Sequence, residues 1–157
     1  MSKQWIEKAI SRRGLFKSLG VITASAAVLG IPQKGRAGDD VDALVAKTMG
    51  SGPMEEKRVT IEAPIIAENG KVVPIKVMVD HPMDADNFIQ SIAIFVDKNP
   101  IPMAAKFNLT ANSGKAQVAA RIKMGKTSKV RAIARTNTGK LYAAINEIKV
   151  TIGGCGG

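Results

Sequence analysis

The feature that most constrains this fold is a series of short segments in which apolar and polar residues alternate. Val59, Ile61 and Ala63 alternate with polar neighbours, and the same pattern returns at 73–79. A period of two is typical of strands that bury one face. Gly-, Asn- and Pro-containing turns separate the segments. Seven strands are predicted in this way, at 58–63, 73–79, 88–97, 106–110, 117–123, 129–136 and 140–152.

Seven short strands with turns about every ten residues predict an all-β fold, an antiparallel immunoglobulin-like β-sandwich. The segment 88–97 is the most apolar, so we expect it to be central, and within it Ile92–Val96 is a candidate partner surface. Pro74 indicates a strand start or an edge position, because proline donates no ladder hydrogen bond. In the last strand, the alternation of Ile148, Val150 and Ile152 predicts inward anchoring up to Ile152.

A short helix is predicted before the first strand. Asp39 and Asp40 can cap a helix over 41–49. The spacing of its apolar residues places four side chains on one helical face: Val41, Leu44, Val45 and Thr48. Gly50 and the residues up to Pro53 are typical of a helix end.

The N-terminal segment has the pattern of a twin-arginine signal peptide. Arg12 and Arg13 precede a mildly apolar run at 19–31. Thirteen residues rise about 20 Å as a helix, which is too short to cross a bilayer core of about 30 Å. Gly35-Arg36-Ala37 resembles a cleavage site. The pattern of residues 1–37 therefore predicts export to the periplasm and no membrane anchor.

The net charge changes once this segment is removed. Residues 1–37 contain seven Lys or Arg and one Glu, so +6 of the total +10 belongs to the signal. Residues 38–105 carry −5 and residues 106–157 carry +9. We expect no nucleic-acid partner, because the protein is predicted to be exported and has few aromatic residues for base stacking. The basic half is instead expected to attract small anions and acidic partners.

The chemistry of the chain is concentrated in its last five residues. Cys155 is the only cysteine, and Gly153, Gly154, Gly156 and Gly157 flank it. Glycine supplies no side chain to bury a thiol and leaves the backbone free. The sequence therefore predicts a sandwich domain at 38–152 and a flexible arm at 153–157. At about 3.5 Å per extended residue, Cys155 reaches roughly 10 Å beyond Ile152, which suits a carrier that enters active sites on other proteins.

A thiol enzyme and a metal site both lack supporting residues in this sequence. A thiol enzyme needs a fixed base, and the only histidine is His81 in a predicted loop. One His and one Cys are a poor metal ligand set. We therefore predict no catalytic residue, no metal and no cofactor. A periplasmic thiol-redox or disulfide-exchange protein, an inert tail on an interaction domain, and a Cys155 disulfide between chains stay open.

Several segments of the chain resemble the SoxY family, the thiosulfate carriers of bacterial sulfur oxidation. The resemblance includes the twin-arginine signal and the closing Gly-Gly-Cys-Gly-Gly. Four further segments share it: Glu68-Asn69-Gly70-Lys71-Val72-Val73-Pro74, Ile94-Phe95-Val96-Asp97-Lys98-Asn99-Pro100, Val130-Arg131-Ala132 and Gly139-Lys140-Leu141-Tyr142.

This resemblance implies a cargo and a set of partners. It implies a heterodimer with a second β-sandwich subunit that is similar to SoxZ. A c-type cytochrome would join thiosulfate to Cys155 as a cysteine S-thiosulfonate. A hydrolase would then release sulfate and leave a persulfide, and a sulfane dehydrogenase, where present, would oxidise the bound sulfur. Cys155 is the implied attachment residue, and its four glycines are the implied arm.

Overall fold

Two β-sheets and one α-helix make up the part of the chain that the computed structural model describes, residues 37–152. The helix α1 spans Ala37–Met49. A short 3-10 turn lies at Ala111–Ser113. The strands are β1 Met54–Glu55, β2 Val59–Glu62, β3 Ile66–Asn69, β4 Val73–Val79, β5 Ile89–Val96, β6 Met103–Asn108, β7 Gln117–Ile122, β8 Ser128–Thr136 and β9 Leu141–Ile152.

The strand order confirms the predicted β-sandwich. One sheet has the order β1-β9-β8-β5-β6, with β3 also paired to β9, and the other has the order β2-β4-β7. All seven predicted strands are present, and they pair antiparallel with one another. Two short strands, β1 and β3, were not predicted, and both pair parallel to β9. The sandwich is therefore antiparallel in its main ladders and parallel at the two ends of β9.

The helix begins earlier than predicted. It starts at Ala37, so Asp39 and Asp40 belong to its first turn and do not precede it. The carboxylate of Asp40 is favourable there because the helix N-terminus carries a partial positive charge. Val41, Val45 and Met49 are buried, whereas Leu44 is only half-buried. Within the described residues, no helix is long and apolar enough to cross a membrane.

The central strand β5 is buried on both faces. It pairs with β8 on one side and β6 on the other, as its apolar sequence predicted. Ile92 and Ile94 pack in the core between the sheets. Phe95 packs with Val45 and Met49 of α1 on the outer face. The expectation that Ile92–Val96 is a partner surface is therefore wrong, because all five residues are buried within this chain.

Pro74 occupies the start of β4, which confirms that part of the prediction. The strand lies between β2 and β7, but β2 pairs only with Lys76–Val79. At Pro74 the ladder has a partner on the β7 side alone, which is Arg121. A residue without an N–H is tolerated where one side of the strand is unpaired.

One ion-pair cluster joins the helix to the larger sheet. The Arg131 guanidinium on β8 donates from Nε and Nη2 to Asp97, at 2.7 and 2.9 Å, and from Nη1 to Asp42 of α1. The Arg131 and Asp97 side chains are only 17% and 13% exposed. Hydrogen bonds to Asp97 raise the pKa of Arg131, and this effect outweighs the opposing effect of burial. The cluster fixes α1 to the sheet by two charged contacts.

Candidate functional site at the end of the last strand

The residues predicted to carry the chemistry lie outside those that the structure describes. These are Cys155 with Gly153, Gly154, Gly156 and Gly157, and the signal residues Arg12 and Arg13. The described chain ends at Ile152, the last residue of β9. The described part of the candidate site is therefore its base, the surface around Ile152.

The end of β9 is held by hydrogen bonds from two neighbouring segments. On one side β3 runs parallel to it, with Ile66 opposite Lys149 and Asn69 opposite Ile152. The Gly70 N–H donates to the Ile152 carbonyl at 2.7 Å. On the other side the Val150 N–H donates to Thr127 Oγ1 at 3.0 Å. The strand is thus bonded up to its last residue.

Burial anchors β9 as far as Val150, and the prediction of inward anchoring is wrong only for Ile152. Ile148 is buried, Val150 is half-buried, and Ile152 is 66% exposed. The inter-sheet core includes Ile148 and Met124, Val150 packs against it, and Ile152 faces solvent. Ile152 therefore lies on the surface, and its position depends on backbone hydrogen bonds.

Exposed apolar residues belong to the segments that lie beside this strand end. Four of the eight large exposed hydrophobic residues in the described chain lie here. The Lys149 N–H donates to the Ile65 carbonyl, and Val72 follows two residues after Gly70. We call these four exposed residues, which belong to β9 and to the segments beside its end, the apolar rim: Ile65, Ile66, Val72 and Ile152.

Lysine residues border the apolar rim. The Met124 N–H donates to the Gly70 carbonyl at 2.7 Å, which brings the loop 123–127 beside the end of β3. Asn99 holds this loop, because its side chain donates to the Lys123 carbonyl and accepts from the Gly125 N–H. The loop exposes Lys123 and Lys126. Positive charge at this position favours a thiolate or another sulfur anion nearby.

His81 lies at the opposite end of β9. Its ring centroid is 5.7 Å from that of Tyr142, the second residue of the strand. Tyr142 and Ile152 are ten residues apart, which corresponds to about 33 Å along a strand. The reach of roughly 10 Å predicted for Cys155 beyond Ile152 is much shorter than this distance. Within residues 37–152, no group of three or more His, Cys, Asp and Glu side chains could hold a metal ion.

These features define a small β-sandwich with an exposed strand end that leads to a single cysteine. The family model described as sulfur oxidation protein SoxY matches residues 45–155, a range that includes this cysteine. The chain therefore belongs to the SoxY family. A search of curated protein sequences finds no match.

A solved structure supports the same family. The sulfur carrier protein SoxY from Chlorobium limicola f thiosulfatophilum is 38% identical, with a TM-score of 0.60. The match covers 74% of this chain and all of that one.

Superoxide reductases share the fold. Neelaredoxin from Ignicoccus hospitalis is 26% identical with a TM-score of 0.53, over 59% of this chain and 79% of that one. The superoxide reductase from Nanoarchaeum equitans is 15% identical with a TM-score of 0.51, over 61% of this chain and all of that one, and shows the fold alone. Since one fold supports different activities, the function has to be argued from the site.

Proposed function

We propose that this protein is a periplasmic sulfur carrier that holds thiosulfate-derived groups on Cys155 and presents them to the enzymes of thiosulfate oxidation. The related Chlorobium protein is described as a sulfur carrier. The observation that carries the proposal is the end of β9, which is hydrogen-bonded to Ile152 yet uncovered by other parts of the described chain. A group attached three residues later therefore starts from a hydrogen-bonded and exposed strand end.

The proposed chemistry needs no catalytic residue of this chain. The Cys155 thiolate and thiosulfate form an S–S bond and lose two electrons, which the c-type cytochrome accepts. Water then cleaves the terminal S–S bond in the hydrolase, which releases sulfate and two protons and leaves a cysteine persulfide. The carrier contributes the nucleophilic sulfur and its delivery, and no cofactor is needed on this chain.

The proposed partners follow from the family and the sequence. A SoxZ-like β-sandwich subunit would form a heterodimer with this chain. The cytochrome, the hydrolase and, where present, a sulfane dehydrogenase would act on the arm in turn. The twin-arginine pattern at Arg12 and Arg13 supports export to the periplasm, with removal of residues 1–37.

The intact mass of the mature protein from its natural host tests this proposal. We expect a chain that begins at residue 38 and a sulfur-bearing adduct at Cys155 after exposure to thiosulfate. A reducing agent should remove the adduct. An adduct at another residue, or none, would refute the carrier assignment. A mixed disulfide with another protein in place of the sulfur adduct would favour the thiol-redox alternative.

The apolar rim explains how an enzyme would accept so short an arm. Because Cys155 extends only about 10 Å, the mouth of a recessed active site has to rest against the surface around Ile152. Ile66 of β3 and Val72, two residues after Gly70, are exposed and belong to the segments beside this strand end. The exposed lysines of the loop 123–127 favour an enzyme with acidic residues around the entrance of its active site. We therefore propose that each processing enzyme contacts this rim.

Charge substitutions in the rim should weaken enzyme recognition. We expect Ile66→Asp with Val72→Asp to raise the KM for the loaded carrier about tenfold in assays with the purified hydrolase. The kcat should change little, because the contact forms equally in the ground state and the transition state. Met54→Asp is the matched control, since Met54 is also exposed but pairs with Leu141 at the far end of β9. Equal effects of both changes would contradict the proposed contact.

A further inference from the structure

The turn between β3 and β4 contains the only Asn-Gly pair of the sequence. Asn69 is the last residue of β3, and Gly70 follows it. The other six asparagines precede larger residues. Because glycine has no side chain to obstruct its backbone nitrogen, that nitrogen can approach the carbonyl carbon of the Asn69 side chain. The pair is therefore chemically able to close a cyclic imide.

The reaction has two steps and needs only water. The Gly70 nitrogen bonds to the side-chain carbonyl carbon of Asn69, and ammonia leaves with the proton of the Gly70 N–H. Water then opens one of the two C–N bonds of the imide. One opening gives aspartate, and the other gives isoaspartate, in which the backbone passes through the former side chain. Both steps proceed without an oxidant, a reductant or a cofactor.

One hydrogen bond within the turn favours closure of the imide. The Lys71 N–H donates to Asn69 Oδ1 at 2.8 Å. A donor at this position stabilises the negative charge that develops on Oδ1 when the nitrogen attacks. Asn69 is exposed, so water reaches its side chain. The contact lies within three consecutive residues and does not depend on β9.

The pairing of β3 with β9 opposes closure of the imide. The Gly70 N–H donates to the Ile152 carbonyl at 2.7 Å, and Gly70 is buried. The nitrogen has to lose this proton to attack, so the hydrogen bond must break first. Asn69 is also held in the extended strand opposite Ile152, whereas the imide requires the Gly70 nitrogen to turn toward the side chain. Both obstacles disappear when the end of β9 separates from β3.

The end of β9 is held mainly by exposed hydrogen bonds. Thr151 Oγ1 donates to the Glu68 carbonyl of β3 at 2.8 Å. Thr151 and Ile152 are both exposed, so little apolar burial adds to these bonds. Segments with exposed hydrogen bonds and little burial open locally more often than the core does. Opening of this strand end therefore determines how often the Gly70 nitrogen is free.

We infer that Asn69 is a site of spontaneous deamidation, and that the pairing of the end of β9 with β3 controls its rate. The inference does not depend on the proposed function, because only described residues and water take part. Isoaspartate adds one methylene group to the backbone beside Gly70. Gly70 then cannot keep its two bonds, to the Ile152 carbonyl and from the Met124 N–H, in their present geometry. The modified protein therefore loses part of the support for the end of β9.

The full mature protein is tested by incubation in mildly alkaline buffer prepared with heavy-oxygen water. Peptide mass spectrometry locates each deamidated asparagine, and the heavy oxygen marks carboxylates formed during the incubation. We expect Asn69 to react before the other asparagines and to give isoaspartate in excess over aspartate, since the imide opens to both. The reaction should be about tenfold or more slower than in the same protein unfolded in guanidinium chloride.

A variant in the strand end tests the control by β9. Thr151→Val keeps the shape of the side chain and removes the hydroxyl that bonds to Glu68. We expect it to deamidate Asn69 about two- to tenfold faster than the wild type, the range for one hydrogen bond. Thr138→Val is the matched control, because it removes an exposed hydroxyl that contacts Thr136 at the opposite end of β9. Its rate should stay within the wild-type range.

Several results would overturn the inference. Equal acceleration by Thr151→Val and Thr138→Val would indicate global unfolding and would refute control by the strand end. Equal rates in the folded and unfolded wild type would do the same. Earlier reaction at another asparagine, or aspartate without isoaspartate at Asn69, would refute the site. Each of these results leaves the proposed role of Cys155 untouched.

Hydrogen exchange tests the consequence for the fold. Deamidation adds a negative charge, so ion exchange separates the isoaspartate form from the unmodified protein. The Gly70 amide should exchange faster in the isoaspartate form, because its bond to the Ile152 carbonyl is lost. Amides in the central strand β5 should exchange at the same rate in both forms. Unchanged exchange at Gly70 would contradict the loss of support for β9.

Discussion

Cys155→Ser should abolish thiosulfate oxidation in the reconstituted system and leave the fold and the partner complex intact. The substitution replaces one sulfur atom by oxygen, and a hydroxyl forms no S–S bond with thiosulfate. The two apolar clusters that form the core of residues 37–152 are unchanged by this substitution, so we expect the variant to fold. Electron transfer to the cytochrome measures the activity, and circular dichroism and gel filtration measure the fold and the complex.

His81→Gln is the control that separates a carrier from a thiol enzyme. His81 is the only histidine, and its ring lies beside that of Tyr142 at the far end of β9. We expect full activity from this variant, because the base for each step belongs to the processing enzyme. A large loss of turnover in a folded His81→Gln protein would favour catalysis by this chain. Turnover by Cys155→Ser at the wild-type rate would contradict Cys155 as the attachment site.

Arg131→Gln should lower the free energy of unfolding by about 3 kcal/mol, the magnitude for removing one partner of a largely buried ion pair. The variant leaves Asp97 with a mostly buried carboxylate and without its two-bond partner. It also releases Asp42, the contact that joins α1 to β8. Urea unfolding measures the change, and Lys129→Gln on the same strand, with an exposed side chain, should cost less than about 0.5 kcal/mol.

The pH dependence of this contribution follows from the raised pKa of Arg131. A group whose pKa is higher in the folded state stabilises the fold fully below its unfolded pKa, and this stability is lost as the pH rises through the folded value. For arginine that window lies above the working range. The difference in unfolding free energy between the wild type and Arg131→Gln should therefore stay constant from about pH 6 to 10. A loss below about 1 kcal/mol, or a difference that disappears within this range, would contradict the assigned role.

The main strands could be predicted because their pattern is local. Val73, Ile75, Val77 and Val79 alternate with less buried residues, and the structure buries all four between the sheets. β1 and β3 were not predicted because their own sequences carry no clear local pattern. Met54–Glu55 is too short for a pattern, and Ile66–Asn69 lies directly before the turn at Gly70. Both become strands only because the distant β9 pairs with them.

The candidate site was predicted only in part, because some of its features are local in the sequence and others depend on the fold. Cys155 is recognisable in the sequence because its chemistry belongs to one residue and its neighbours. The base of the arm was not, because alternation does not reveal where the opposite sheet ends. Ile152 continues the pattern of Ile148 yet lies in solvent. The apolar rim also depends on strand pairing between segments far apart in the chain.

The pairing of β9 has a mechanical consequence. A partner that withdraws from the arm pulls on residue 153, and the load enters the fold at Ile152 along the axis of the strand. The ladders to β8 and β3 run beside that axis, so their hydrogen bonds lie across the force and share it. Bonds loaded in shear have to break together, whereas an end that peels away breaks them one at a time. Repeated docking and release can therefore apply force to the end of β9 without detaching the strand or unfolding the sandwich.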